Sequence, residues 1–190
     1  MAKGSQFERD MCREFSLWLS HGQRDDLLWR TSQSGGRATT RRQKGAALAT
    51  KGCYGDVCVV DTEHPVARLW GQHVSMELKR GYSGVSVQDL VDLPDRAATR
   101  TFESFIKQAR DDAKASGRKW LIVWKRDKRE PVVVCEFDLP GVLVCKHGFK
   151  NMENGADKAL VWEEYHPRNS IRMLPLREFF AEIQPPEEAT

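Results

Sequence analysis

Three acidic residues stand where a purely structural account is uncomfortable. Glu8 lies in the segment 5–20, whose apolar residues Phe7, Met11, Phe15, Trp18 and Leu19 recur with the period of one helical face. On a helical wheel Glu8 falls between Phe15 and Leu19, inside that stripe. A carboxylate facing a core is costly unless it is paired or bound to a cation, and an internal salt bridge to an Arg is the plainer alternative. Asp56 follows Gly55 and opens the β-branched run Asp56–Asp61; by itself it reads as a turn residue. Glu77 sits in Ser75-Met-Glu-Leu-Lys79, where alternation puts Glu77 and Lys79 on one face and Met76 and Leu78 on the other. Alone, a surface Glu/Lys pair explains it equally well. Together, two strands presenting Asp56 and Glu77 and a packed helix offering Glu8 make a set of hard oxygen donors of the kind Mg²⁺ or Mn²⁺ requires. Lys79 beside them could orient or help deprotonate a water and offset negative charge in a transition state. Those are the parts needed to hydrolyse a phosphodiester.

The charge distribution is consistent with such a substrate. The 190 residues carry 30 Lys+Arg and 27 Asp+Glu, a formal net charge of +3 that by itself says little about partners. Divided along the chain, it is uneven. Between Leu27 and Gly55 stand Arg30, Arg37, Arg41, Arg42, Lys44 and Lys51, with no Asp or Glu. Gly117–Glu130 adds Arg118, Lys119, Lys125, Arg126, Lys128 and Arg129 against two acids, whereas 163–190 is acidic. A Gly/Ser/Thr/Arg-rich loop suits phosphates: Arg binds bidentately, hydroxyls donate, and glycines let backbone N–H groups approach. Two basic stretches beside candidate carboxylates point to nucleic acid rather than to a solvated loop.

The elements that must position these residues follow from periodicity and punctuation. A first helix spans 5–20, a short strand candidate covers Leu27–Thr31, and 32–55 reads as a loop. Asp56–Asp61 and Val74–Arg80 read as strands joined by a His64-Pro65 turn, which predicts a hairpin. After an irregular 81–100, a second helix is expected over Thr101–Ser116, with Phe102, Phe105, Ile106, Ala109 and Ala113 on one face. Lys119–Lys125 and Val132–Phe137 are strands around a charged turn, and Leu176–Ile183 looks helical. The order predicts an α/β or α+β sheet with helices packed on it.

Composition excludes several classes. At 40% hydrophobic the chain is too apolar for disorder, and it lacks the roughly 20-residue apolar run of a membrane span. The charged start MAKGSQFERDMCREF does not read as a secretory signal. Five irregularly spaced cysteines without a C-x-x-C pair argue for reduced thiols rather than zinc or disulfides, so a cytoplasmic location is expected.

Gly55-Asp56, a strand and a turn, then Glu77-Leu78-Lys79 resembles the (P)D…(D/E)-x-K signature of the PD-(D/E)XK nuclease superfamily. Glu8 in Gly4-Ser-Gln-Phe-Glu-Arg-Asp10 is similar to the N-terminal helix glutamate of its Holliday-junction-resolvase-like branch. Arg30-Thr-Ser-Gln-Ser-Gly-Gly-Arg37 resembles the Ser/Gly loop of those resolvases, and Phe105-Ile-Lys-Gln-Ala-Arg followed by KWLIVWKR keeps their order of elements. The resemblance covers about residues 4–137, and its specificity comes from five features in order rather than from D…E-x-K alone. It implies a restriction-endonuclease-like core over 1–138, a central mixed β-sheet flanked by helices, with 139–190 as a C-terminal extension. It also implies divalent-metal-dependent hydrolysis of branched DNA by a homodimer. Asp56 and Glu77 would be metal ligands, with the Leu78 carbonyl a further one. Lys79 would act on the nucleophilic water and Glu8 would complete the metal shell. Ser32 or Ser34 would contact the scissile phosphate, and Arg30, Arg37, Arg41, Arg42, Lys44 and Gln108 would contact DNA. The chain departs from the pattern in three places: Gly rather than Pro precedes Asp56, the excursion 35–51 is long for a minimal resolvase, and 139–190 has no counterpart. A sequence-reading restriction- or mismatch-type endonuclease, reading duplex DNA through 35–51, is an alternative on the same core. A non-catalytic nucleic-acid-binding protein with structural carboxylates is an alternative of another class.

Overall fold

The computed structural model describes residues 3–31, 54–86, 102–136, 144–145, 160–162 and 171–185. The chain opens with α1 (Lys3–Leu19) and β1 (Leu28–Arg30), then β2 (Val57–Val59), α2 (Pro65–His73) and β3 (Val74–Arg80). It continues with α3 (Phe102–Ser116), β4 (Lys119–Lys125) and β5 (Val132–Glu136), followed by the short β6 (Val144–Cys145) and β7 (Leu160–Trp162). β8 (Ile171–Pro175), α4 (Leu176–Glu182) and β9 (Ile183–Gln184) complete it.

Among the described residues, five strands form one sheet in the order β3-β4-β5-β8-β7. β3 and β4 are parallel, with Glu77 opposite Ile122 and Lys79 opposite Trp124. A parallel pair needs a long crossover, and α3 supplies it. The remaining pairs are antiparallel, so the sheet is mixed. Alternation along β3 divides two cores. Val74, Met76 and Leu78 pack with α1, α2 and α4 on one side, while Trp120, Ile122 and Trp124 of β4 pack against α3 on the other. The first core is tied by a ring cluster, Phe15 and Trp18 of α1 against Trp70 of α2 and Phe179 and Phe180 of α4. This is a restriction-endonuclease-like core. β8 and α4 come from beyond residue 139, yet they extend this sheet and fill this core.

The expected hairpin is not formed. β2 pairs antiparallel with β1, β3 pairs with β4, and nine helical residues separate β2 from β3. His64-Pro65 starts that helix rather than a turn. Pro65 occupies the first turn, where its missing N–H costs nothing, and His64 Nδ1 accepts the Ala67 N–H at 3.4 Å. Among the described residues no helix is long and apolar enough to cross a membrane.

Candidate active site

Among the described residues β3 is the edge of the five-stranded sheet, and on its outer side Asp56 takes the backbone groups of Met76 and Leu78. The Asp56 N–H donates to Met76 O at 2.8 Å, and the Leu78 N–H donates to Asp56 Oδ2 at 2.8 Å. Gly55 makes this approach possible. Its φ is +79°, and a Cβ there would lie 2.5 Å from Met76 O. Proline, whose ring holds φ near −65°, cannot adopt this backbone, which explains why Gly rather than Pro precedes Asp56 here. Thr31, at the end of β1, holds the same stretch from the other side: its N–H donates to Asp56 O at 2.9 Å and its Oγ1 to Gly55 O at 3.2 Å.

Glu77 and Lys79 share the face of β3 that looks at α3. Lys79 Nζ donates to Glu77 Oε2 at 2.7 Å and to Gln108 Oε1 at 3.0 Å, and Gln108 Nε2 donates to Glu77 Oε2 at 3.1 Å. The three side chains close a triangle in which Gln108 is donor to one member and acceptor from the other. Gln108 lies on the flank of α3's apolar stripe. Asp56, Glu77 and Lys79 are all buried, and Glu77 Oε1 is a buried oxygen with no hydrogen-bond partner.

Burial sets the electrostatics. It is the largest cause raising the Glu77 carboxyl from 4.5 to about 8, and the Asp56 carboxylate adds to it while Lys79 opposes it. Asp56 is also raised by burial, against the pull of the Leu78 N–H and Lys79. Burial works to lower the Lys79 ammonium, but Glu77 and Asp56 outweigh it and the net shift is upward. Lys79 is therefore a cation and hydrogen-bond donor here, not a free base. Burial thus opposes ionisation of both carboxylates, a cost that a cation bound between them would offset.

Glu8 on α1 is bound by Arg30 of β1, with Nη1 donating to Oε2 at 3.1 Å. Burial, then Asp56, raises the Glu8 carboxyl against the pull of Arg30, so Glu8 is close enough to sense the cluster. Among the described residues no group of three or more His, Cys, Asp or Glu side chains is close enough together to hold an ion. Two carboxylates are nevertheless what Mg²⁺ commonly takes from a protein, with waters and substrate phosphate supplying the rest. The hard donor set and the unpartnered Glu77 oxygen fit that ion. Leu78, whose carbonyl is a candidate further ligand, is buried and gives its N–H to Asp56. Ser32, Ser34, Arg37, Arg41, Arg42 and Lys44 lie outside the described residues.

Sequence reasoning missed Thr31. Nothing in its neighbours marks it, because its role depends on the β1–β2 pairing that brings it against Gly55 and Asp56.

The mixed sheet and the buried Asp/Glu-x-Lys cluster on its edge strand define a nuclease of the PD-(D/E)XK class. A family model described as phage putative PDDEXK endonuclease matches residues 1–155, and the chain belongs to that family. Comparison with curated proteins and with solved structures found no match.

Proposed function

We propose that the protein is a divalent-metal-dependent DNA endonuclease that acts on branched DNA in the manner of a Holliday junction resolvase, as a homodimer. The observation that carries the metal-dependent reading is the buried Asp56–Glu77 pair with one carboxylate oxygen unpartnered beside Lys79. Asp56 and Glu77 would hold Mg²⁺, with Mn²⁺ able to substitute. When bound, the ion would supply Lewis acidity to the scissile phosphate and lower the pKa of the attacking water. Asp56 is held to the edge of β3 by its own N–H on Met76 O and by its Oδ2, which accepts the Leu78 N–H, so its carboxylate is fixed in place. Glu77 presents Oε1 while Oε2 is held by Lys79 and Gln108. Lys79 keeps its proton and offsets negative charge that develops on the phosphate oxygens. Gln108 holds the Lys79 ammonium in place, and Arg30 with the acid-free loop after it offers phosphate contacts.

The test is incubation with Mg²⁺ or Mn²⁺ and labelled four-way junction, flap, duplex and single-stranded DNA. Metal-dependent cleavage of the branched substrates is expected. Glu77→Ala should abolish cleavage while leaving binding within a few-fold of wild type. Absence of metal-dependent cleavage of every substrate by folded protein would refute nuclease activity. Cleavage that follows duplex sequence and ignores branching would replace the resolvase-like reading with a restriction-type one.

A further inference from the structure

We propose that Tyr82 is a stacking platform for an unpaired base beside the scissile phosphate, so that the enzyme reads single-stranded character at its cleavage point; this rests on the nuclease reading above. Tyr82 is one of three large hydrophobic residues that stand exposed among the described residues, at 43%. It follows Lys79 by three positions, and the backbone holds it there firmly. β3 ends at Arg80, opposite Lys125 of β4, and the Gly81 N–H donates to Lys125 O at 3.0 Å. Gly81 and Tyr82 then both take positive φ, +87° and +55°, and the Val85 N–H closes the turn on Tyr82 O at 2.9 Å. A bulky residue at positive φ is strained, and such strain persists where the surroundings over-determine the position.

The turn sets the ring against Phe105 of α3. Tyr82 meets Phe105 of α3 edge-on with centroids 4.9 Å apart, and the Lys79 ammonium lies 5.8 Å from the centroid of that same Phe105. Glu77, Lys79, Phe105 and Tyr82 are thus consecutive neighbours, running from the carboxylate centre to an exposed aromatic ring. Phe105 supports the ring, and Tyr82 remains 43% exposed to solvent. The same end of the parallel pair carries a basic turn: Lys125 is hydrogen-bonded to Gly81, and Arg126, Lys128 and Arg129 follow, all exposed. An aromatic ring anchored next to a cation-rich turn is the combination that binds single strands, bases on the ring and phosphates on the cations. A base within duplex is already stacked on its neighbours and has no face to offer. The ring therefore favours flaps and gaps over blunt duplex.

The experiment measures binding of the full chain in EDTA to a branched flap carrying 2-aminopurine at the unpaired position next to the branch, and to blunt duplex of the same sequence. Wild type should quench the 2-aminopurine. Tyr82→Leu, which still covers Phe105 but has no ring, should lose the quenching and at least about five-fold in affinity for the branched DNA. Its affinity for blunt duplex should stay within two-fold. Tyr82→Phe should behave as wild type. The salt dependence of binding should be the same for all three proteins, because no charge is removed. Retained quenching and affinity in Tyr82→Leu would overturn the proposal, as would an equal loss on blunt duplex. If Tyr82→Leu does not fold, absence of quenching by wild type bound to the branched DNA overturns it without any variant. Failure of wild type to bind any DNA refutes instead the nuclease reading on which the proposal rests.

Discussion

Replacing Glu77 by Gln should make the metal-free protein more stable at pH 8, although it breaks the ion pair with Lys79. Buried between β3 and α3, Glu77 has its carboxyl raised from 4.5 to about 8. The folded protein keeps a proton on Glu77 that the unfolded chain releases once the pH passes 4.5. Stability therefore falls as the pH rises from 4.5 to about 8; below that window both states are protonated, and above it both are ionised and the full cost is felt. The interval corresponds to about 5 kcal/mol. Asp56 and Glu8, also raised by burial, act in the same direction, whereas Lys79 is protonated throughout the window. For a chain of this length 1 kcal/mol moves Tm by about 2–4 °C, so the wild type in EDTA should lose roughly 10 °C between pH 5 and pH 8. Gln keeps an oxygen to accept from Lys79 Nζ and has nothing to ionise. Thermal melts of Glu77→Gln should follow a much flatter curve, close to wild type at pH 5 and above it at pH 8. Mg²⁺ should raise the Tm of wild type more at pH 8 than at pH 5.5, because its ligands must be deprotonated. A wild-type Tm that is flat or rising over this range, or a variant with the wild-type slope, would refute the reasoning.

Other consequences are local. Gly55→Ala forces a Cβ against Met76 O and an L residue into φ +79°; it should lower the unfolding free energy by more than about 1 kcal/mol and abolish cleavage, and a variant as stable as wild type in urea would contradict this account of Asp56. Gln108→Ala should slow cleavage by about ten-fold or more with little change in DNA affinity, because Lys79 loses one of its two partners; an unchanged rate constant at saturating DNA would remove Gln108 from the site. The Arg30–Glu8 pair is partly exposed, so a double-mutant cycle with Arg30→Ala and Glu8→Gln should give a coupling of about 1 kcal/mol or less. Arg30→Ala should also reduce the salt slope of DNA binding by about one, and an unaltered slope would mean that Arg30 serves only Glu8.

Much of this protein was legible before its structure. The apolar stripes of 5–20 and 101–116 predict α1 and α3 to within two residues, because a helix reports its buried face through a period that only local spacing sets. Alternation over 75–79 places Glu77 and Lys79 on one face for the same reason, and that face is the one turned to Gln108. Helix α2 was hidden because His64-Pro65 opens helices as readily as turns, and nine residues carry too few periods to decide between them.

Pairing and the charge states, by contrast, belong to tertiary structure alone. Whether β3 joins β2 or β4 depends on edges that are distant in sequence. That choice leaves the outer side of β3 open to Asp56 and requires Gly at position 55. The types and order of the reactive groups are sequence properties, since chemistry resides in side chains. The displaced carboxyl of Glu77 and the cationic state of Lys79 exist only once the sheet and α3 remove them from water, because desolvation is a property of the packed interior and not of any residue within it.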